Sequence, residues 1–379
     1  MSHASDQVVR GSYFWADVLR FIAASLVVME HSRDLLFLTV AEAGKLSLTW
    51  KAFYFLTGFG SEAVIVFFVL SGYWITSAIT RRIDRQAFWR DYLIDRLSRL
   101  LIVVVPVLIL GGLLDLASIR LIGSHYADGA SGALTVQQPV SASLSLSTFL
   151  GNLVFLQKLV VPTFGSNGPL WSLAFEFWYY IWFPSLLLLL TRRRFSIGLL
   201  CLALGALSLG LVEGFGVWLM GSALFYLDRR FTQSTTPRSG GTGWKQTPAL
   251  FVSLVLLGAA LVASRLSVPI AGSSLVLGGA FSLFFWVLLR LDPGQLRPAA
   301  PFARYGAGSS FSLYALHFPV ILALASLIAP GRRTMPDFAR LLQWGGLVLA
   351  AIALAWLFSR LTEARTPQLR DWARRCFPG

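Results

Sequence analysis

Runs of about 20 apolar residues recur along this chain, and that recurrence decides what it can become. Roughly 20 such residues in a helix cross the hydrocarbon core of a bilayer. Lipid offers the backbone no hydrogen-bond partner, so a spanning segment must satisfy itself as a helix. The runs are Val18–Thr39, Ser61–Thr80, Leu97–Ile119, Pro169–Leu190, Ser196–Val212, Gly214–Leu227, Ala249–Ala263, Val268–Leu289, Ser309–Ile328 and Leu341–Phe358. Only 13% of the residues are charged, against about 25% in soluble domains. The expected fold class is all-α: a polytopic membrane helix bundle of about ten transmembrane helices. Residues 1–13 read as a cytoplasmic N-terminal segment, 14–366 as one transmembrane domain and 367–379 as a cytoplasmic tail. The first run is longer than a signal-peptide core and follows a polar stretch, so it reads as a span rather than a cleaved leader.

The charges give the expected orientation. The chain carries 32 Lys and Arg against 18 Asp and Glu, a formal net charge of +14. A nucleic-acid-binding protein would gather these on one folded face, whereas here they are scattered between apolar runs, so no nucleic-acid partner is expected. Cytoplasmic loops of membrane proteins collect Lys and Arg. With both termini placed in the cytoplasm, 22 basic residues fall in inner segments and 9 in outer ones. The longest outer segment, Arg120–Asn167, contains an apolar stretch, Leu146–Leu156, that reads as a half-helix. The inner segment Arg229–Thr247 is Gly/Ser/Thr-rich and reads as a flexible linker. The two cysteines, Cys201 and Cys376, form no disulfide framework and no metal motif.

Polar groups inside such runs are costly, and function is the usual reason for keeping them. The first run holds Asp17, Arg20, Glu30 and His31. Arg20 and His31 are eleven residues apart, close to three full helical turns, so they share one face about 16 Å apart along the axis. Asp17 can pair with Arg20 at i, i+3. Glu176, in Trp171-Ser-Leu-Ala-Phe-Glu176, enters the fourth run at a depth similar to His31, where a carboxylate could orient an imidazole. Arg96 and Arg99 open the third run, and guanidinium pairs suit phosphate. As alternatives, Arg20 snorkels to the headgroups and His31 caps the outer end of its helix, Glu176 is a buried acid kept neutral or hydrogen-bonded to Trp or Tyr, and Arg96 and Arg99 mark topology alone. Phe67-Phe-Val-Leu-Ser71-Gly72-Tyr73 combines small residues that suit close helix approach.

Taken in order, five elements carry a resemblance: Arg20 and His31 with ten residues between them, Phe67–Tyr73, Arg96-Leu-Ser-Arg99, Trp171–Glu176 and Ser312-Leu-Tyr314-Ala-Leu-His317. The sequence resembles the acyltransferase-3 family of integral membrane acyltransferases from about Phe14 to Thr366. The resemblance implies movement of an acyl group, most often acetyl, from cytoplasmic acyl-CoA to a hydroxyl of a carbohydrate or lipid-linked glycan on the outer side. It implies a bacterial inner membrane and no metal, and leaves oligomeric state open. His31 would be the catalytic base, or would itself be acylated. Glu176, or Glu30, would orient it. Arg20, Arg96, Arg99, His317, Ser71 and Tyr73 would contact the acyl-CoA, with helix packing through a hydrogen bond as an equal alternative for His317. No appended periplasmic esterase-like domain is expected, so the membrane domain would complete any transfer, and the family's Glu-x-Pro ending is matched only loosely, at Glu363. A lipid-linked glycan transporter without acyl transfer is the rival reading, since it too would line a path with buried charges.

Overall fold

A computed structural model of the protein describes residues 2–123, 129, 132–192, 205, 208–234, 243–266, 272–291, 294–329 and 333–377. Regular structure among these residues is helical, and pairing of extended backbone is confined to two isolated bridges, Phe37 with Thr334 and Gln157 with Val161. The helices are α1 (Ser2–Leu36), α2 (Val40–Ala43), α3 (Leu48–Leu56), α4 (Gly60–Thr80), α5 (Phe88–Ala117), α6 (Leu146–Leu153), α7 (Trp171–Arg192), α8 (Leu209–Ser234), α9 (Gly243–Arg265), α10 (Ser273–Leu288), α11 (Ala300–Ile328), α12 (Phe338–Leu361) and α13 (Thr366–Cys376). The fold is therefore the all-helical membrane bundle that the apolar runs imply.

Among the described residues, seven helical segments are long and apolar enough to cross a bilayer: Leu48–Thr80, Phe88–Ile122, Gly168–Thr191, Leu209–Phe231, Pro248–Arg265, Ala300–Ile328 and Phe338–Cys376. They differ from the ten expected runs at three places. Helix α1 has the length, but Asp17, Arg20, Glu30, Arg33 and Asp34 punctuate it. Helix α10 is apolar but has only 16 residues. The run Ser196–Val212 falls largely outside the described residues.

Three boundaries move for identifiable reasons. Thr39 does not end the first span. It caps α2, its hydroxyl accepting from the Glu42 amide at 3.3 Å while the Glu42 carboxylate accepts from the Thr39 amide at 2.7 Å, a reciprocal box. Gly214 does not divide two spans, because α8 runs unbroken from Leu209. The expected linker Arg229–Thr247 is helical through Ser234 and again from Gly243, and residues 235–242 lie outside the described part. The half-helix expected at Leu146–Leu156 is present as α6, with Ser145 capping its start.

The chain divides into two compact units. One comprises Met1–Ala23, Ser61–Gln86 and Tyr179–Ala307. Its centre is the crossing of α4 and α8. A Cβ on Gly72 would run into the Trp218 carbonyl, and one on Gly221 into the Val69 carbonyl, so the backbones touch where both helices have glycine. Trp218, fully buried, donates from Nε1 to the Ser71 hydroxyl at 3.2 Å. Tyr73 donates to Asp228 at 3.0 Å, and Arg290 pairs with the same carboxylate at 3.2 Å.

The second unit comprises Ala24–Gly60, Ala87–Trp178 and Gly308–Gly379. Here α13 lies on α5, where the buried Asp95 holds Arg374 at 2.7 Å. The end of α1 is strapped by its neighbours. The Asp34 carboxylate accepts from the amides of Leu134 and Thr135, at 3.1 and 2.9 Å, and from the Thr135 hydroxyl at 2.7 Å. Arg333, buried, pairs with Glu42 at 2.7 Å. Glu42 is held below the usual carboxylate range, first by the Thr39 hydroxyl and amide and then by Arg333.

Candidate active site

The site is built within the second unit, and its geometry starts from a proline. Pro319 sits inside α11. Having no N–H, it leaves the carbonyl four residues back without its helical partner. That carbonyl belongs to Ala315, and Asn167 Nδ2 donates to it at 2.9 Å. One residue before Ala315, the Tyr314 hydroxyl donates to the Pro169 carbonyl at 2.9 Å and also meets the Ser172 hydroxyl. The broken turn of α11 is thereby clamped to the segment that opens α7. Further up α11, the Glu363 carboxylate accepts from the amide and hydroxyl of Ser312, at 3.2 and 3.1 Å.

The clamp fixes His317, which is 1% exposed. Its Nδ1 lies 2.8 Å from the Tyr314 carbonyl oxygen, and its Nε2 lies 2.8 Å from Nδ1 of His31 on α1. The two rings are parallel within 3°, with centroids 5.1 Å apart, and the Phe318 ring stands edge-on to His31 at 5.4 Å. These contacts decide where the protons sit in a neutral pair. A carbonyl only accepts, so Nδ1 of His317 carries the hydrogen and Nε2 of His317 is an acceptor. Nδ1 of His31 must then donate, which leaves the lone pair of His31 on Nε2. His317 is buried, whereas His31 keeps partial exposure.

The other expected residues fall into three groups. Glu176 and Arg96 belong to the same unit. Glu176, on α7, is half-buried. The Arg96 guanidinium lies 5.9 Å from the centre of the Tyr92 ring, and its Nε is buried with no hydrogen-bond partner among the described residues. Arg99, one helical turn on, is exposed. The Glu30 carboxylate accepts from the Gly60 amide at the start of α4 and lies 3.9 Å from Arg33. The remaining expected residues lie in the first unit. Arg20 pairs with Asp17 at 3.8 Å, as their spacing requires. Ser71 and Tyr73 are engaged with Trp218 and Asp228 in the α4–α8 packing. Among the described residues no group of three or more His, Cys, Asp or Glu is placed to hold a metal ion.

Sequence reasoning did not find the His31–His317 pair, because 286 positions separate its members. It also missed Asn167. A usable signal existed: Pro319 announces a free carbonyl at Ala315, and a buried amide is an effective way to satisfy one.

A helical membrane protein with a half-accessible imidazole held in one tautomer by a second, buried imidazole defines a class of candidate transfer catalysts. Comparison gives the family: residues 13–360 match its acyltransferase domain, and the chain belongs to the acyltransferase-3 family. Among curated proteins it is similar to candidate O-acetyltransferases of Staphylococcus aureus strains COL, MSSA476 and MRSA252. Each is 33% identical over 170 residues, covering 41% of this chain and 25% of the relative. The chain thus matches about a quarter of the length of these relatives. No solved structure matches.

Proposed function

We propose that this protein is a membrane O-acyltransferase that moves an acyl group, acetyl in the simplest case, from acyl-CoA to a hydroxyl of a carbohydrate-bearing acceptor, with Nε2 of His31 as the base. The observation that carries this reading is the His31–His317 hydrogen bond at 2.8 Å with His317 Nδ1 on a carbonyl. It leaves a lone pair on the partly accessible imidazole. An imidazole titrates near neutrality when unperturbed, which suits it to accept a proton from a hydroxyl. In the step proposed, His31 Nε2 takes the acceptor's hydroxyl proton as that oxygen attacks the thioester carbonyl. The C–S bond then breaks, and the CoA thiolate leaves with the proton that Nε2 received. The developing imidazolium of His31 stays hydrogen-bonded through Nδ1 to His317, which spreads its charge.

Membership of the acyltransferase-3 family and the names of the staphylococcal relatives support acyl transfer as the chemistry. Acyl-CoA as donor rests on Arg96, a half-buried cation whose Nε has no hydrogen-bond partner among the described residues, since CoA brings phosphates that a guanidinium binds well. The charge split across the loops supports a cytoplasmic donor side and an outward acceptor side in a bacterial inner membrane. CoA phosphates cannot cross hydrocarbon, whereas a neutral thioester arm can pass between helices.

The test uses purified protein in sealed vesicles, with sidedness set by labelling cysteines introduced into the 81–87 loop between α4 and α5. Acetyl-CoA supplied on the side of that loop should support acetylation of a glycan presented on the opposite side. Turnover only when both substrates share a side would overturn the trans-bilayer part. No acetyl transfer in either arrangement would favour a glycan transporter.

A further inference from the structure

Two buried side-chain amides beside the His317 turn present an unusual pattern. Asn167 is 3% exposed and Gln157 1%. Each has its orientation settled, because each NH2 donates to a backbone carbonyl: Asn167 to Ala315 at 2.9 Å and Gln157 to Leu170 at 3.0 Å. Carbonyls accept only, so neither amide can be turned the other way. That leaves Asn167 Oδ1 and Gln157 Oε1 as acceptors, and both are buried with no donor among the described residues. A buried carbonyl oxygen without a donor carries a desolvation cost that native proteins seldom leave standing.

The two amides belong to one structural device. Both hold the short segment 167–170, which opens α7 and whose Pro169 carbonyl receives the Tyr314 hydroxyl. Asn167 is bonded to the same turn of α11 that positions His317. Close by, the Asp115 carboxylate, 1% exposed, accepts from the Ser166 amide at 2.7 Å, and Gly165 takes a positive φ of 62° against it. The neighbourhood therefore offers oxygen acceptors, and Asn167 Oδ1 and Gln157 Oε1 leave unused capacity for hydrogen donors.

We propose that Asn167 Oδ1 and Gln157 Oε1 form part of the acceptor subsite and bind a neutral polyhydroxylated group through its hydroxyl hydrogens. The proposal rests on the acyl-transfer reading above and adds the residues that choose the acceptor. Neither residue touches the reacting atoms in this account; both act by placing the acceptor. The chemistry also assigns the two substrates to different linings, since CoA phosphates seek the cation Arg96 and hydroxyl groups seek these oxygens.

The experiment uses the full-length protein in nanodiscs. Binding of methyl α-D-glucopyranoside and its monodeoxy derivatives is followed by saturation-transfer NMR, and binding of CoA by calorimetry. In the wild-type protein, loss of one particular hydroxyl should weaken glycoside binding roughly fivefold, the usual scale for one neutral hydrogen bond. Asn167→Leu or Gln157→Leu should weaken the parent glycoside to a similar extent, leave CoA binding unchanged, and abolish the difference between parent and deoxy compound. A destabilised variant would lose both ligands, so the split between them separates placement from folding. The wild-type deoxy series needs no variant at all. The proposal is overturned if glycoside binding is equal in the wild-type and Leu proteins, if no deoxy compound differs from the parent, or if the wild-type protein takes no glycoside. Failure of CoA binding in the wild type would instead bring down the acyl-transfer reading itself.

Discussion

Replacing His317 by Leu is the sharpest perturbation of the site, because it removes an acceptor and little else. In the wild-type protein, Nδ1–H of His31 has Nε2 of His317 at 2.8 Å. In the variant that hydrogen faces hydrocarbon. Leaving a buried donor unpaired costs about 1–3 kcal/mol. His31 can avoid the cost by moving its hydrogen to Nε2, and the lone pair then lies on the wrong atom. A bias of about 1–3 kcal/mol lowers the population of the useful tautomer by about 5- to 150-fold at room temperature. The value of kcat should fall by that factor, with the KM for acetyl-CoA nearly unchanged. His317→Gln keeps a side-chain acceptor at a similar reach and should recover most of the activity. Turnover is followed as CoA thiol released from acetyl-CoA with the host's membrane glycan fraction as acceptor, and folding by thermal melting in detergent. Wild-type turnover in the Leu variant, or equal loss in the Leu and Gln variants, would refute the tautomer argument.

Arg96→Ala should weaken CoA binding about tenfold, as for loss of a charge-assisted contact at a half-buried site, while Arg99→Ala, at an exposed site, should change it by less than about fivefold; calorimetry at low and high salt checks both, and the difference should shrink with salt. Gly72→Ala or Gly221→Ala pushes a methyl group into a facing carbonyl and should destabilise the protein by about 1–3 kcal/mol or more, read as a lowered melting temperature. Glu42 has a depressed folded-state pKa, so its contribution is present above the ordinary carboxylate pKa and is lost as pH falls through the lower folded value. Glu42→Gln should therefore reduce stability at neutral pH and flatten the acid arm of the melting profile, and an unchanged profile would remove Glu42 from the strap on Arg333.

The helices were legible in the sequence because each spanning run must be apolar for its whole length, whatever it packs against. Limits were legible only where local chemistry set them. Ser145 before α6 is such a case. Thr39 was misread because a cap that begins the next helix looks like the polar end of the last one. Gly214 was misread as a break, though a single glycine is tolerated within a membrane helix whose neighbours hold it. Of the site, the shared helix of Arg20 and His31 and their spacing were readable from period alone. The partner of His31 was not, since a contact between α1 and α11 is a fact of tertiary packing. Nor was the bond between Glu30 and the Gly60 amide, which joins α1 to the start of α4. The Gly72–Trp218 approach answers to the small residues of Phe67–Tyr73, which the sequence marked as suited to packing.

The account stands most directly on mass spectrometry of host glycans from three strains: one without the protein, one with the wild-type chain, and one with His31→Ala at equal membrane abundance. An acyl mass on the glycans with the wild-type chain, absent from the other two, is the predicted result. Glycans of identical mass in all three, or acylation that survives in the His31→Ala strain, would contradict it.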